Sequence, residues 1–258
     1  MSSASVDGSL PIPKVLYANN KTFAVETLNQ FGCQFNYNDE YVESFLQWAG
    51  STSSSGIIAD VGCGFGAMTK RLLDAGAKHI IANDLSKEHL DILLASLSEQ
   101  DKAKVQLKHG NALELSQDIP PNSLAGIFAG SWLHFLRPEE LRQAFKMFFS
   151  LIKPGGKLCV TTVTCYSDVM TAQDVVAERK KAGVEWPGLW TKELYDGPYA
   201  HHLPEFMLCL DPDELEREVK AVGFDVDKAG YIDFETVFED IKVDGREFSG
   251  LLATKPAG

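Results

Sequence analysis

The sequence predicts an α/β fold with a doubly wound, mostly parallel sheet of seven strands, one of them antiparallel. Short apolar runs without polar alternation recur along the chain and alternate with amphipathic helical patterns, which is typical of buried parallel strands covered by helices. The chain closes with two successive strand-like runs, and this pair adds the antiparallel strand.

The individual elements follow from local patterns. The predicted strands are residues 57–61, 78–84, 105–112, 124–130, 158–164, 226–234 and 248–255. Helical patterns lie at 67–73 and 138–152, and the second begins at Pro138, a residue that suits the first turn of a helix. A further helix begins at Asp211, a favourable N-cap residue, and ends near Gly223.

Residues 1–55 are predicted to form an N-terminal tail and helical cap. Residues 1–13 are rich in serine and are expected to be mobile. Apolar residues at helical spacing predict one helix over residues 17–31 and a second from about Asn38. The core then spans residues 56–258, and the two helices are expected to lie across its mouth.

Residues 165–210 interrupt the alternation of strands and helices, and they are predicted to form a lid inserted after the fifth strand. The segment leaves the carboxyl end of that strand, where open α/β sheets bind their ligands. Its aromatic side chains offer apolar area with polar tips, which suits a pocket that excludes water. The predicted substrate pocket consists of Trp132, Trp186, Trp190, Tyr195, Tyr199, His201 and His202. The alternative is that the aromatic side chains of the insertion form apolar core under a lid.

The functional prediction depends on a glycine-rich turn, Asp60-Val61-Gly62-Cys63-Gly64-Phe65-Gly66, which follows the first strand and opens a helix. Glycines at alternate positions let the backbone turn sharply and lie against a ligand where a side chain would collide. The turn delivers that ligand to a helix N-terminus with unpaired N–H groups. The spacing G-x-G-x-G differs from the dinucleotide pattern G-x-G-x-x-G and from the phosphate-binding loop of nucleoside triphosphatases, so a different nucleotide-type ligand is indicated.

This run resembles the first motif of the class I S-adenosylmethionine-dependent methyltransferases, and the resemblance covers roughly residues 56–164 and 211–255. It implies a Rossmann-like fold and S-adenosylmethionine as the cofactor. Asp84-Leu85-Ser86 resembles the family's second motif, and an acid about 20 residues beyond a glycine turn is placed to bind ribose hydroxyls. Asn111 stands where the family usually has Asp against the adenine amino group, and its carbonyl oxygen serves the same donor. The cofactor-binding residues implied are Asp60, Gly62, Cys63, Gly64, Phe65, Gly66, Asp84, Leu85, Asn111, Ala112 and Gly130.

His134 is the candidate general base, because it lies just past the fourth strand, near where the methyl group would emerge. The alternative is a structural histidine. The adjacent His201 and His202 would point apart on a strand and lack an acid at a ligand spacing, so no metal site is predicted. An acid that often begins the family's fourth strand is missing at Ala125-Gly126.

The amino-acid composition limits the classes of partner that the protein is expected to bind. The formal net charge of −12 disfavours nucleic acids and acidic membrane surfaces, and it favours a neutral or cationic acceptor over an anionic one. The five cysteines include no C-x-x-C pair, which predicts reduced thiols. Without a signal peptide or an apolar run of about 18 residues, a cytoplasmic monomer or homodimer is expected.

The predicted activity is methyl transfer by in-line displacement to an oxygen, nitrogen or carbon atom of a small-molecule acceptor. Leu133-His134-Phe135-Leu136 looks like the small-molecule branch of the family, and the Asn/Asp-Pro-Pro-Tyr signature of its nucleobase and glutamine methylases is absent. A protein or peptide methyltransferase and a non-catalytic cofactor-binding partner protein share the same cofactor features and stay open. An NAD-dependent enzyme is disfavoured by the glycine spacing.

Overall fold

A computed structural model describes residues 10–18, 23–29, 32–36, 38–51, 56–166, 173–191, 204–232 and 244–258. The strands are β1 (Val15–Ala18), β2 (Phe23–Glu26), β3 (Cys33–Asn36), β4 (Ile57–Val61), β5 (His79–Asp84), β6 (Val105–His109), β7 (Leu124–Gly130), β8 (Ile152–Val163), β9 (Leu189–Thr191), β10 (Phe206–Leu208), β11 (Asp225–Tyr231) and β12 (Phe248–Thr254). The α-helices are α1 (Glu40–Gly50), α2 (Ala67–Asp74), α3 (Lys87–Ser96), α4 (Glu99–Lys102), α5 (Pro138–Leu151), α6 (Gln173–Lys181) and α7 (Pro212–Ala221). Short 3-10 helices span Ala112–Gln117 and Leu133–Phe135.

The central sheet has seven strands in the order β11-β12-β8-β7-β4-β5-β6. Strand β12 runs antiparallel to both β8 and β11, whereas β4 pairs in parallel with β5 and β7. The predicted mostly parallel seven-stranded sheet with one antiparallel strand is confirmed. Because the chain moves outward from β4 in both directions, the carboxyl ends of β4 and β7 mark the switch point where such sheets bind ligands.

Helix α1 covers one face of the sheet through Tyr41, Val42 and Phe45, which pack with Ile58 of β4. Its N-cap is Asp39 rather than Asn38, and one carboxylate oxygen of Asp39 accepts from the N–H groups of Tyr41 and Val42 at 2.8 Å each. Phe45 is 0% exposed, and burial of such a side chain stabilises the fold by about 1.5–3 kcal/mol. Helix α1 is therefore packed against β4, the strand that leads into the glycine-rich turn.

The other face is covered by α5 and α7, and Phe145 and Phe148 of α5 are fully buried. They belong to the same apolar cluster as Ile127 of β7 and Val160 of β8. Apolar residues spaced three apart along a helix fall on one face, which is the pattern that predicted this element.

The helix predicted over residues 17–31 is wrong. The described part of this segment contains β1 and β2, which form a three-stranded antiparallel sheet with β3 in the order β1-β2-β3. The sequence Phe23-Ala24-Val25-Glu26-Thr27 contains β-branched and aromatic residues that favour strands. The N–H of Thr27 donates to the carbonyl of Gly32 at 3.1 Å, which closes the connection between β2 and β3.

The segment predicted as an irregular lid contains regular structure. Helix α6 and the antiparallel pair β9 and β10 lie within it, and residues 167–172 and 192–203 fall outside the described ranges. Trp190 is 1% exposed and belongs to a small apolar cluster with Val176 and Met207. In the part of the chain that the structure describes, no helix is both long enough and apolar enough to cross a membrane.

Candidate functional site

A cavity of about 360 Å³ opens at the carboxyl ends of β4, β5 and β7, and the N-terminal sheet contributes to its wall. Predicted cofactor residues that line it are Asp60, Gly62, Cys63, Gly64, Asp84, Leu85, Asn111, Ala112 and Gly130. Phe65 and Gly66 are not among the described lining residues, and of the predicted acceptor residues Trp132 lines the cavity. The carboxyl ends of β4, β5 and β7 thus meet at one site, together with the residues that follow β6.

The glycines of the turn allow different close contacts with the rest of the protein. All three have left-handed backbone angles, with φ of +70° at Gly62, +54° at Gly64 and +79° at Gly66. A Cβ at Gly62 would lie 2.6 Å from the indole of Trp132, whereas one at Gly66 would lie 2.2 Å from Leu93 of α3. Gly66 therefore serves the packing of α3, and Gly62 lets an aromatic wall of the cavity approach the turn.

Gln34 of β3 lines the cavity and bridges two residues of this turn. Its Nε2 donates to the carbonyl of Cys63 at 3.0 Å, and its Oε1 accepts from the N–H of Phe65 at 2.8 Å. A Cβ at Gly64 would lie 3.0 Å from the same carboxamide. The N-terminal sheet is therefore joined directly to the turn.

The carboxylate of Asp84 is held by three donors. Its Oδ2 accepts from the N–H of Gly64 at 2.8 Å, and its Oδ1 accepts from the N–H of Ser86 at 2.8 Å. The third donor is the ring of His89, with Nδ1 3.0 Å from Oδ1. His89 also lines the cavity, and its other nitrogen, Nε2, lies 3.0 Å from the backbone nitrogen of Leu28.

Gln34 and His89 are site residues that the sequence reasoning missed. For His89 a signal existed, since it lies five residues after Asp84, in the first turn of the helix that follows β5. For Gln34 there was none, because the contact depends on a strand pairing that the sequence did not indicate.

Asp60 lies beneath the turn and is 1% exposed. Its Oδ2 accepts from the hydroxyl of Thr69 at 2.6 Å. Burial raises the pKa of the Asp60 carboxyl to about 7, and the bond from Thr69 opposes that rise. Asp60 is thus a carboxyl that exchanges its proton near neutral pH at the edge of the cavity.

Two polar atoms at the cavity have no hydrogen-bond partner among the described residues. Asn83 donates both its Nδ2 protons, to the carbonyls of Lys108 and Gly110, and its Oδ1 remains without a donor. The indole Nε1 of Trp132 remains without an acceptor. Both residues line the cavity. Buried polar atoms without a partner are unusual, and at a cavity they are consistent with a site for a ligand that carries polar groups.

Asn111 and Leu85 lie at the exposed rim. The side chain of Asn111 caps the following 3-10 helix, since its Oδ1 accepts from the N–H of Leu113 at 3.0 Å. A carbonyl oxygen has a second lone pair, and the Nδ2 group can also donate, so Asn111 keeps capacity for a ligand. Leu85 is 59% exposed, which leaves an apolar surface for a flat ligand ring.

His134 is buried and is not among the residues that line the cavity. Its ring lies 4.1 Å from that of Phe135, and its Nδ1 is 3.5 Å from the hydroxyl of Thr162. Burial lowers the pKa of His134 to about 3, which makes it a weak proton acceptor at neutral pH. The geometry therefore favours the structural alternative for this histidine.

The remaining predicted acceptor residues are not brought to the cavity in the described ranges. Trp190 lies in the apolar cluster described above, and Trp186 lies under Arg142 and Arg217, whose guanidinium carbons are 5.1 and 4.8 Å from its ring centre. Tyr195, Tyr199, His201 and His202 lie outside the described residues. The structure describes no group of three or more acidic, histidine or cysteine side chains in its ranges that could hold a metal ion.

Comparisons with known proteins agree with this geometry. Residues 58–156 match the family model described as a methyltransferase domain. A ribosomal protein L11 methyltransferase of Photobacterium profundum is 31% identical over 142 residues, which is 51% of this chain and 45% of the relative. The chain therefore spans less than half the length of that relative.

Solved structures show the same fold. An S-adenosylmethionine-dependent methyltransferase from Mesorhizobium loti is 17% identical with a TM-score of 0.58, covering 83% of this chain and 98% of that one. The glycopeptide N-methyltransferase MtfA, solved in complex with sinefungin, is 20% identical with a TM-score of 0.58, covering 85% and 95%.

The fold is that of the class I S-adenosylmethionine-dependent methyltransferases. Residues 58–156 of this chain match the methyltransferase domain of that family, and S-adenosylmethionine is the cofactor that the match indicates. The cavity fits that cofactor on its own chemistry, because it offers a glycine turn, a fixed carboxylate at Asp84 and the unpartnered atoms of Asn83 and Trp132.

Proposed function

We propose that this protein transfers the methyl group of S-adenosylmethionine to an oxygen, nitrogen or carbon atom of a small-molecule acceptor. The observation that carries the proposal is the wall of the cavity beyond the glycine turn. Phe35, Phe128, Trp132 and Phe135 line it, so the wall next to the turn includes four aromatic side chains. Small ligands are bound in such concave apolar sites with a few polar contacts.

The cofactor would be held by the residues already described. Asp84 would accept from the ribose hydroxyls, Asn111 and Ala112 would contact the adenine, and the backbone from Gly62 to Gly64 would face the amino-acid end. When bound, the cofactor supplies a methyl group activated by its sulfonium.

The chain's own contribution is positioning and the exclusion of water. The aromatic walls surround the reacting region, and a water-poor site favours transfer to the acceptor over side reactions. No base is assigned to His134, whose ring is turned into the protein beside Thr162. The net charge of −12 favours a neutral or cationic acceptor.

The same proposal includes the location, the domain organisation and the oligomeric state of the protein. A cytoplasmic location is consistent with the cysteines, all of which are free thiols in the structure. Residues 165–210 are proposed as part of the acceptor side of the site, with residues 1–55 as the N-terminal cap and the chain acting as a monomer or homodimer.

A protein acceptor is the second candidate, because the curated relatives include ribosomal protein L11 methyltransferases. Calorimetric titration with S-adenosylhomocysteine tests cofactor binding first, and absence of binding to the wild-type chain would contradict the whole proposal. Transfer of a radiolabelled methyl group to a cell extract separated by size then distinguishes the candidates. Label in the low-mass fraction supports the proposal, whereas label confined to macromolecules supports the protein acceptor.

A further inference from the structure

We propose that His89 is a positioning residue that fixes the ribose-binding carboxylate of Asp84 and joins it to the loop between β2 and β3. The proposal rests on the function proposed above and deepens it. His89 does not need to touch the cofactor for this role, since it acts through Asp84.

The hydrogen bonds define the state of the ring. The backbone N–H of Leu28 can only donate, so the Nε2 of His89, 3.0 Å away, carries no proton. The ring proton of the neutral imidazole is then on Nδ1, which donates to the Oδ1 of Asp84 at 3.0 Å. Both nitrogens are therefore engaged, one on each side of the ring.

Packing holds the ring in this orientation. His89 is 1% exposed, and its ring lies edge-on to that of Phe65 with the centres 4.6 Å apart. Phe65 belongs to the glycine turn, so the same side chain contacts the turn, the carboxylate and the loop between β2 and β3. A buried ring with two directed hydrogen bonds has little freedom to rotate.

The consequence lies in the lone pairs of Asp84. Its Oδ1 accepts from Ser86 and His89, which satisfies both lone pairs of that oxygen. Its Oδ2 accepts from Gly64 and keeps one lone pair. His89 thus holds the carboxylate so that the oxygen with remaining capacity is the one next to the glycine turn, at the cavity.

Two substitutions separate the two bonds. The amide nitrogen of Asn can replace Nδ1, so His89→Asn keeps a donor for Asp84 and loses the acceptor for Leu28. Gln reaches as far as Nε2, so His89→Gln keeps an acceptor for Leu28 and loses the donor to Asp84. We expect His89→Gln to bind S-adenosylhomocysteine about tenfold more weakly and His89→Asn to stay within about threefold of the wild type.

A cofactor analogue without ribose hydroxyls shows whether the effect passes through Asp84. His89→Gln should bind the 2′,3′-dideoxy analogue of S-adenosylhomocysteine as well as the wild type does, because the group that Asp84 serves is missing. Equal losses for both ligands, or no loss for either, would overturn the proposal. If the wild type binds neither ligand, the proposed function fails instead.

Nitrogen NMR of the wild-type protein gives a reading that does not depend on any variant. A proton on Nδ1 of His89, protected from exchange, is expected. A proton on Nε2 in the neutral ring would contradict the hydrogen-bond assignment and overturn the proposal even if the variants failed to fold.

Discussion

At the scale of single residues, the Asp60 carboxyl couples the stability of the fold to pH. Its pKa rises from 3.8 to about 7 because the group is buried. Between those values the folded chain keeps a proton that the unfolded chain releases, so the contribution of Asp60 to stability is fully present at low pH and is lost as the pH rises through about 7. Asp60→Asn removes this dependence.

We expect the difference in unfolding free energy between Asp60→Asn and the wild type to change by roughly 4 kcal/mol from pH 4 to pH 8, in favour of the variant at the higher pH. Urea unfolding at intervals across that range measures it. The comparison cancels other groups that titrate there, including Asp39, whose pKa burial raises to about 6. Parallel curves for the two proteins would contradict the prediction.

Gly62 offers a second test at this scale. Alanine at Gly62 would need a left-handed backbone with φ of +70° and would place its Cβ 2.6 Å from Trp132. Gly76 is the matched control, since its φ is +96° and a Cβ there meets nothing within 4 Å. Gly76→Ala should cost about 1–2 kcal/mol from backbone strain alone, and Gly62→Ala about 1–3 kcal/mol more from displacement of the indole. Equal losses in denaturant unfolding would show that Trp132 moves freely.

At the scale of elements, the N-terminal sheet acts as a clamp on the glycine turn. Gln34→Leu removes the bonds to Cys63 and Phe65 and should destabilise the fold by about 1–3 kcal/mol. Amide hydrogen exchange should be faster at Phe65, whose N–H loses its acceptor. Gln47→Leu on the exposed side of α1 is the control. Unchanged exchange at Phe65 would show that the turn does not need the clamp.

The same sheet shows where sequence reasoning stops at this scale. Strands β4, β5 and β7 could be predicted because each is an apolar run of ordinary length with a clear end. The segment before α1 has apolar residues whose spacing suits a helix as well as a strand. The segment forms strands because β2 pairs with β3. Such pairing is not a local property of the sequence.

Some residues of the candidate site could be predicted from the sequence, and others could not. Asp84 and the glycine turn follow predictable strand ends, so their meeting at one edge could be foreseen. The bond from Gln34 to Cys63 spans 29 residues of sequence and the bond from Leu28 to His89 spans 61, and no spacing rule reaches that far. Only the contact between His89 and Asp84, five residues apart, had a local signal. His134 had the expected position after β7, but the burial that disfavours it as a base is set by packing.

At the scale of the whole molecule, the sheet order places β4 between the two halves of the site. Asp84 ends β5 on one side, and Gly130 ends β7 on the other. The N-terminal sheet spans the turn between them through Gln34. The cavity therefore depends on three separate parts of the fold, and loosening any one of them changes its shape.

The placement of the tryptophans makes the protein its own optical reporter. The chain has 4 tryptophans, and in the structure Trp132 is the one that lines the cavity. Its indole Nε1 lacks a partner in the described residues, so a ligand that enters alters the surroundings of a single emitting group. Titration with S-adenosylhomocysteine should shift or quench the intrinsic fluorescence, and Trp132→Phe should remove that response while Trp186→Phe keeps it. A response that survived in Trp132→Phe would mean that another tryptophan causes the fluorescence change, and that binding alters the structure beyond the cavity.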